Sequence, residues 1–405
     1  MIMVKRKQSR REFLQTISAI STAPLLTPLV TFGHASGQSK LNRGQLLVPT
    51  RPFGKTGVRV PILGFGGSLD INKLGLRQAA KWGVTYWDTA ASYGGGRSEK
   101  RMGEYIAKYA EDRKNFFLVT KSHAWSVKEM TRDLNRSLEK MNTDYIDLYF
   151  RHSVRNPDDL DDNLRMWAEN AKAEGKIRFF GFSTHSNMEE CMLKSSKLGW
   201  IDGIMMTYNY RLMHTDHMKR AVESCAEAGI GLTAMKTQGG GSVKADTETE
   251  RKMAGRFLEK GFTDAQAKLI AVWENPNIAC ICSEMPNIKI LTDNVAAAMN
   301  KTKLATQDLM LLRQYARETL SDYCAGCSDI CETAIKGHVP ISDMMRYLMY
   351  SRSYGDLDRC SSLFKQLPLD MRTRITRTDF NLAEQKCPQR MPIGRLMKEA
   401  ISKFS

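Results

Sequence analysis

Between residues 61 and 300, short apolar runs alternate with stretches whose apolar residues recur at helical spacing. Strands that alternate with helices are typical of βαβ units and a parallel sheet. Eight such units in about 250 residues match the size of a closed TIM (β/α)8 barrel. We therefore predict an α/β fold whose strands occupy residues 61–66, 85–89, 116–121, 146–152, 177–183, 203–208, 231–236 and 278–283.

An open, doubly wound sheet is the alternative arrangement of the same elements. That fold usually carries a G-x-G-x-x-G turn after its first strand, and no such motif follows the first predicted strand here. Just before that strand, residues 51–61 read as a short hairpin that turns at Lys55-Thr56-Gly57. We expect this hairpin to close the floor of the barrel.

After residue 300 the alternation of strand and helix stops, and the remaining patterns are mostly helical. We predict a barrel domain over residues 51–300 and a smaller, mostly helical domain over residues 301–405. The smaller domain contains a concentration of thiols. Three of the nine cysteines of the chain fall within eight residues, and a Cys-Pro pair follows later: Cys324, Cys327, Cys331 and Cys387.

The first 35 residues combine a basic start, the motif SRREFL, an apolar run and small residues. This order resembles a twin-arginine export signal, whose paired arginines, here Arg10 and Arg11, are read by a receptor. The apolar run over residues 16–32 contains two prolines and is too short to span a bilayer. We therefore expect residues 1–35 to direct export to the periplasm and the mature protein to have no membrane span.

The charge of the chain excludes one class of partner. Without the five basic residues and one acidic residue of the predicted signal, the net charge falls from +16 to about +12. This excess is not concentrated in one block, and no basic stripe is interleaved with aromatic residues. Nucleic-acid binding usually leaves such a basic patch, so we expect no nucleic-acid partner.

Polar side chains follow three consecutive predicted strands, at the face where such a barrel has its active site. Asp88 and Tyr93 follow the second strand. Lys121 ends the third strand, and His152 ends the fourth. A tyrosine with a pKa near 10 is a weak acid at neutral pH, and a buried lysine hydrogen-bonded to it would ease loss of its proton. With Asp88 keeping the lysine charged and His152 orienting a carbonyl oxygen, the set predicts proton donation to a carbonyl group.

The segments WDTAASYG, TKS and IDLYFRHS, which contain these four residues, resemble the catalytic segments of the aldo-keto reductase family. The resemblance extends over residues 51–300 and includes the RPFGKTG hairpin. It implies a TIM-barrel enzyme that transfers a hydride between NAD(P) and a small carbonyl or alcohol substrate. It also implies that the four matching residues form the catalytic tetrad, with the tyrosine as acid and base.

The resemblance further implies a nicotinamide site, in which several positions differ from the family pattern. Glu284 places a carboxylate where a basic cluster usually binds the 2′-phosphate of NADP, which argues against tight NADPH binding. Met235 replaces the aromatic residue that stacks on the nicotinamide ring. The positions that remain suitable for the cofactor are Ser183, Gly239, Gly240 and Asn294.

The clustered thiols are compatible with disulfides, a zinc ion or an iron–sulfur cluster. Three cysteines within eight residues cannot pair with one another without leaving one unpaired. The segment CPQRMPIG resembles the end of the ferredoxin-type tail found on some aldo-keto reductases, and this implies a 4Fe–4S cluster held by the three clustered cysteines and Cys387. Three residues rather than two separate Cys327 from Cys331, and Cys360 is the alternative fourth ligand.

These observations predict an exported oxidoreductase that interconverts a carbonyl and an alcohol, with Tyr93 as acid and base and an associated 4Fe–4S cluster. Its partners would be a small-molecule substrate and a redox partner protein. The alternative is a binding or scaffold protein that keeps the reductase barrel without catalysis, as in the β subunits of potassium channels.

Overall fold

The computed structural model describes residues 47–68, 73–240, 247–335 and 339–405. The predicted export signal at residues 1–35 lies outside these ranges. Among the helices within them, none is both long and apolar enough to cross a membrane.

A short antiparallel hairpin precedes the barrel, as the sequence predicts. Its two strands are β1 (Thr50–Pro52) and β2 (Arg59–Pro61). Phe53 in the turn is fully buried, and a Cβ on Gly231 would lie only 2.4 Å from its ring. The same ring also lies against Gly203. Since both glycines are the first residues of barrel strands, the hairpin closes the barrel floor.

Eight parallel strands form a closed barrel, which confirms the predicted TIM barrel. The strands are, in chain order, β3 (Leu63–Gly66), β4 (Tyr86–Asp88), β5 (Phe117–Ser122), β6 (Ile146–Arg151), β7 (Ile177–Thr184), β8 (Gly203–Thr207), β9 (Gly231–Met235) and β10 (Ile278–Glu284). The order around the barrel is β10, β3, β4, β5, β6, β7, β8 and β9. These strands are buried by the barrel interior on one side and by helices on the other, which explains their nearly continuous apolar runs. Each strand begins and ends within two residues of its predicted bounds.

Helices surround the barrel, and local sequence signals set where several of them begin. Thr247 and Thr263 each accept a hydrogen bond from the backbone three residues on, and each forms a capping box that satisfies the free amides of a helix start. The helices of this part are α1 (Lys73–Lys81), α2 (Arg97–Lys108), α3 (Val127–Lys140), α4 (Asp162–Ala173), α5 (Met188–Ser195), α6 (Asp216–Glu227), α7 (Glu248–Glu259), α8 (Asp264–Trp273) and α9 (Ile288–Met299).

The chain after residue 300, called the tail from here on, consists of helices and turns in the part that the structure describes. It has a hydrophobic core of its own, to which Leu348 and Met397 contribute. The barrel and the tail nevertheless belong to one compact unit. The tail helices are α10 (Thr306–Glu318), α11 (Ser328–Cys331), α12 (Ile341–Tyr354), α13 (Leu357–Lys365), α14 (Leu369–Arg377), α15 (Asn381–Lys386) and α16 (Ile393–Phe404).

Helix α12 of the tail lies across the carboxyl-terminal mouth of the barrel. Near its start, the Ser342 hydroxyl oxygen is 2.9 Å from that of Ser186, in the loop after β7. Near its end, the Ser353 hydroxyl donates to the Gly240 carbonyl at 2.7 Å, in the loop after β9. Because active sites of such barrels lie at this face, α12 forms part of the wall of the candidate site.

Candidate active site

Asp88 and Tyr93 are brought together by the end of β4 and the tight turn that follows it. Asp88 is the last residue of the strand and is 3% exposed. Tyr93 begins a short 3-10 turn, which Gly94 and Gly95 continue with φ of 56° and 66°. Residues other than glycine rarely adopt this conformation, so the glycines allow the chain to turn sharply after the strand and keep Tyr93 at the mouth.

Lys121 connects the elements of this site. Its side chain is almost fully buried, and its Nζ donates to Oδ2 and Oδ1 of Asp88 at 2.5 and 2.6 Å and to the Thr89 carbonyl at 2.7 Å. These three bonds use all the protons of the ammonium group. The same nitrogen lies 5.0 Å from the centre of the Tyr93 ring. The phenol, the ammonium and the carboxylate therefore share one small volume.

The electrostatics of these three groups differ from the expectation. Because Asp88 and Thr89 take all three protons, Lys121 makes no hydrogen bond to Tyr93 in the described part of the chain. Burial raises the pKa of Asp88 to about 6, although the Lys121 ammonium lowers it. Burial of the Tyr93 hydroxyl raises the pKa of Tyr93 well above its ordinary value, and the nearby Asp88 carboxylate adds to this shift. The Arg359 cation opposes the shift. Tyr93 is therefore fully protonated at neutral pH, which is the form that donates a proton.

His152 directly follows β6 and completes the set. Its ring centre lies 5.7 Å from that of Tyr93, with the ring planes at 76°. Its Nδ1 is buried and has no hydrogen-bond partner among the described residues. Burial, together with the nearby His123 and Lys121, lowers the pKa of His152 well below 6.5. The imidazole is neutral at pH 7 and can hydrogen-bond a carbonyl oxygen without carrying a charge.

His123 is a neighbour that the sequence analysis did not identify. Its ring stacks on that of His152 at 4.0 Å. Burial and the Arg151 and Arg346 cations lower the pKa of His123 to about 4. His123 follows Lys121 by two residues at the carboxyl end of the same strand, so the rule that selected Lys121 could also have selected His123.

Two of the residues predicted to bind a nicotinamide cofactor have side-chain partners within the protein. The Ser183 hydroxyl accepts a hydrogen bond from the Ser153 amide at 3.1 Å. The Asn294 side-chain amide donates to the Ser283 hydroxyl at 3.0 Å. Both predicted residues are buried at the carboxyl-terminal side of the barrel. Their assignment to the cofactor stays a prediction.

Gly239 and Gly240, predicted to cradle a pyrophosphate, form a loop with φ of 58° and 104°. Arg211 Nε donates to the Gly239 carbonyl at 2.7 Å. On the tail side, Ser353 donates to the Gly240 carbonyl, and a Cβ on Gly240 would lie 3.5 Å from the Tyr323 ring. The outer face of this loop therefore contacts the tail, and a phosphate bound against the loop would lie next to the tail.

Three further side chains at the mouth were missed by sequence reasoning: Lys236, Tyr350 and Arg359. Lys236 directly follows β9, and its Nζ lies 4.9 Å from the Tyr350 ring centre. The Arg359 Cζ lies 5.0 Å from the Tyr350 ring and 5.8 Å from the Tyr93 ring. The rule that identified Lys121, a polar residue at the carboxyl end of a strand, also selects Lys236. Tyr350 and Arg359 carry no such signal because they come from tail helices.

The four cysteines predicted to be metal ligands line one small, largely enclosed cavity in the tail. The remaining lining is mostly apolar and includes Ile341, Met345 and Ile393. All nine cysteines of the chain are free thiols, so the structure contains no disulfide framework. The four ligand candidates that meet at the cavity are Cys324, Cys327, Cys331 and Cys387.

The spacing of three residues between Cys327 and Cys331 corresponds to one helical turn. Residues four apart lie on the same face of a helix, so both cysteines can line the cavity. The preceding Gly326 has φ of 85°, and a Cβ there would lie 2.2 Å from the His185 carbonyl oxygen. The Asn187 amide donates to the Gly326 carbonyl at 2.9 Å. The cysteine loop therefore packs directly on the barrel loop after β7.

Cys360, the alternative fourth ligand, is not among the residues that line the cavity. Its side chain is fully buried, and its thiol donates to the Tyr347 carbonyl at 3.1 Å. Across the described ranges, no three histidine, cysteine, aspartate or glutamate side chains come close enough together to hold a metal ion.

Comparison with known proteins assigns the barrel. The family model described as the aldo/keto reductase family matches residues 70–275, which is half of the chain. The chain belongs to the aldo/keto reductase family. As an aldo/keto reductase it is an oxidoreductase, and the members of this family commonly use NAD(P)H. The matched residues include all four members of the predicted tetrad and stop before the tail.

Individual aldo/keto reductases are similar to this chain over different lengths. L-galactose dehydrogenase of Arabidopsis thaliana is 27% identical over 154 residues, which cover 34% of this chain and 48% of that protein. Aldo-keto reductase str7 of Strobilurus tenacellus is 27% identical over 317 residues, which cover 68% of this chain and 91% of that protein. A thermostable aldo-keto reductase solved with the inhibitor epalrestat has a TM-score of 0.55 at 25% identity, over 66% of this chain and 99% of that chain.

Proposed function

We propose that this aldo/keto reductase is an exported enzyme that interconverts a small carbonyl compound and its alcohol, with Tyr93 as acid and base. The observation that carries the proposal is the position of Tyr93 beside the buried Lys121–Asp88 pair, at the mouth of the barrel. A phenol that stays protonated can donate to a carbonyl oxygen, and an adjacent ammonium stabilises the phenolate that remains.

In the reducing direction, the carbonyl oxygen would lie between the Tyr93 hydroxyl and the His152 ring. The neutral imidazole would orient the oxygen, and Tyr93 would release its proton as negative charge develops there. Lys121 would stay beside the phenol because Asp88 holds its ammonium group with two hydrogen bonds. A bound nicotinamide supplies the hydride that the carbonyl carbon receives.

Ser183 and Asn294 are the side chains that would contact a nicotinamide nucleotide, and the loop at Gly240 would contact its pyrophosphate. Ser353 of the tail bonds the Gly240 carbonyl in this loop, and this contact favours slow exchange of a bound nucleotide. Slow exchange suits a compartment in which free nicotinamide nucleotides are not supplied. Glu284, whose carboxylate accepts from the Ser68 amide at 3.0 Å, favours NADH because a nearby 2′-phosphate would be repelled.

A 4Fe–4S cluster in the tail is the second part of the proposal. Four cysteines line one enclosed cavity, and the helical turn at Cys331 accommodates the three-residue spacing. Zinc is the alternative because it also accepts four thiolates, with sulfur at about 2.3 Å. The resemblance of the segment CPQRMPIG to a ferredoxin-type ending favours the 4Fe–4S cluster over zinc. Such a cluster supplies one-electron transfer to a redox partner.

Export to the periplasm is the third part. The twin-arginine motif at Arg10 and Arg11 supports this route. Export of an already folded chain suits a protein whose cluster is inserted before transport. The contact between the Cys324–Cys331 loop and the barrel supports folding of both parts together before export.

Nucleotide binding and turnover separate the enzymatic proposal from a scaffold function. Full-length protein purified without oxygen would be titrated with NADH and NADPH and analysed by mass spectrometry for trapped nucleotide. We expect binding of NADH in preference to NADPH, and a smaller preference in Glu284→Gln. If neither nucleotide binds, none is trapped and no carbonyl compound is reduced, the scaffold function replaces the proposal.

A further inference from the structure

Two cations at the barrel mouth have no carboxylate partner among the described residues: Lys236 and Arg359. Both residues are partly exposed. Two neighbouring cations are paired instead, Lys121 with Asp88 at 2.5 Å and Arg346 with Asp343 at 2.7 Å.

The two unpaired cations converge on the ring of Tyr350, which α12 holds over the mouth. The Lys236 nitrogen lies 4.9 Å and the Arg359 Cζ 5.0 Å from the centre of this ring. Burial would raise the pKa of Tyr350, yet Lys236, Arg346 and Arg359 lower it below its ordinary value. The position of the phenol is therefore one where negative charge is stabilised.

The protein holds both cations in place. Lys236 has φ of 56°, a left-handed backbone conformation that lysine rarely adopts. Such conformations cost energy and cluster at functional sites. Arg359 lies in the first turn of α13, which Asp356 caps, and its Nη1 donates to the Ser68 hydroxyl at 3.1 Å. The guanidinium, fixed in this way, lies 5.8 Å from the Tyr93 ring.

We propose that Lys236, Tyr350 and Arg359 form an oxyanion subsite that binds the carboxylate or phosphate group of the substrate. Arginine and lysine supply the hydrogen-bond donors that such groups require, and the Tyr350 hydroxyl supplies another. Because the Arg359 Cζ lies 5.8 Å from the Tyr93 ring and 5.0 Å from the Tyr350 ring, one small molecule can place its anionic group in the subsite and its carbonyl at Tyr93. The inference rests on the proposed function and narrows its substrate to an anionic oxo or hydroxy compound.

Calorimetric titration of the full-length protein with inorganic phosphate and with 4-oxobutanoate tests the subsite without turnover. Both anions should bind, and Arg359→Gln and Lys236→Met should each weaken binding at least about tenfold, as expected for loss of a charged hydrogen bond. Arg352→Gln is the matched control, because Arg352 is an exposed arginine on α12 that pairs with Glu399. It should leave both affinities unchanged.

Measurements of turnover and of nucleotide binding provide a second test of the subsite. The ratio of kcat/KM for 4-oxobutanoate to that for uncharged butanal should fall at least about tenfold in Arg359→Gln. If the enzyme turns over neither compound but phosphate binding still depends on both cations, the subsite stands while the proposed reaction fails. The subsite is overturned if wild-type protein binds neither anion, or if Arg359→Gln weakens NADH and leaves 4-oxobutanoate unaffected.

Discussion

Replacing Lys121 by methionine should lower kcat by about 10²- to 10⁴-fold and the free energy of unfolding by about 3–5 kcal/mol. The variant leaves the Asp88 carboxylate, 3% exposed, without its cation. It also removes the ammonium that would stabilise a Tyr93 phenolate. The pKa of Asp88, already raised to about 6 by burial against the opposing effect of Lys121, should rise further. Steady-state kinetics and denaturant unfolding measure the two effects.

The double variant Asp88→Asn/Lys121→Met separates catalysis from stability. Removing both charges avoids an unpaired buried carboxylate, so part of the lost stability should return. Turnover should stay low because the ammonium is still missing. Lys73→Met is the control, because it breaks a solvent-exposed pair with Glu104 and such pairs contribute little. A double variant that regains both stability and turnover would contradict the catalytic assignment.

Replacing Cys387 by serine should remove most of the bound iron and sulfide, from about four of each per chain to less than one. Cys387 is the cavity thiol that reaches the site from the end of α15, far along the chain from the other three. Without it, three thiolates remain. Because metal or cluster binding also stabilises the folded state, the thermal unfolding temperature of the tail should fall. Iron and acid-labile sulfide analysis and visible absorbance follow the loss.

Cys360→Ser provides the matched control for this prediction. Cys360 is fully buried in the same tail, but its thiol bonds to the Tyr347 carbonyl and does not line the cavity. The variant should therefore keep its iron and sulfide. The reverse result, with iron lost in Cys360→Ser and retained in Cys387→Ser, would make Cys360 the fourth ligand. Zinc in place of iron in the wild-type protein would replace the cluster by a single-ion site.

The barrel was predictable because its signal is local and repeated. A strand such as Gly203–Thr207 is buried along its whole length, and its sequence GIMMT is almost entirely apolar. The polar residue that directly follows such a run faces the mouth, which is how His152 and Lys121 could be identified. The turn residues Lys55-Thr56-Gly57 likewise placed a hairpin before the first strand.

The contribution of the tail to the mouth was not predictable from local patterns. The hydrogen bond from Arg359 to Ser68 joins residues 291 positions apart. The bond from Ser353 to Gly240 likewise joins separate parts of the chain. The hydrogen bond expected from Lys121 to Tyr93 does not form, because the Thr89 carbonyl accepts the third ammonium proton instead. A backbone acceptor of this kind leaves no signal in the sequence.

The cysteine spacing shows how a departure from a pattern can have a simple structural cause. In the sequence, three residues between Cys327 and Cys331 differ from the expected two. In the structure, one turn of α11 places both cysteines at the cavity. The packing of Gly326 on the barrel carries no local signal, because it depends on the His185 carbonyl 141 positions earlier in the sequence.

Alcohol formation by wild-type protein and Tyr93→Phe, followed by mass spectrometry with 4-oxobutanoate as substrate, tests the central assignment most directly. The substitution removes one hydroxyl and leaves the ring beside Lys121 and His152. We expect the rate of alcohol formation to fall by about 10²- to 10⁴-fold. Tyr105→Phe, which alters a helix tyrosine packed on Trp87 at 4.9 Å, should keep the wild-type rate. A Tyr93→Phe protein that forms the alcohol as fast as the wild type would contradict the assignment of Tyr93 as the proton donor.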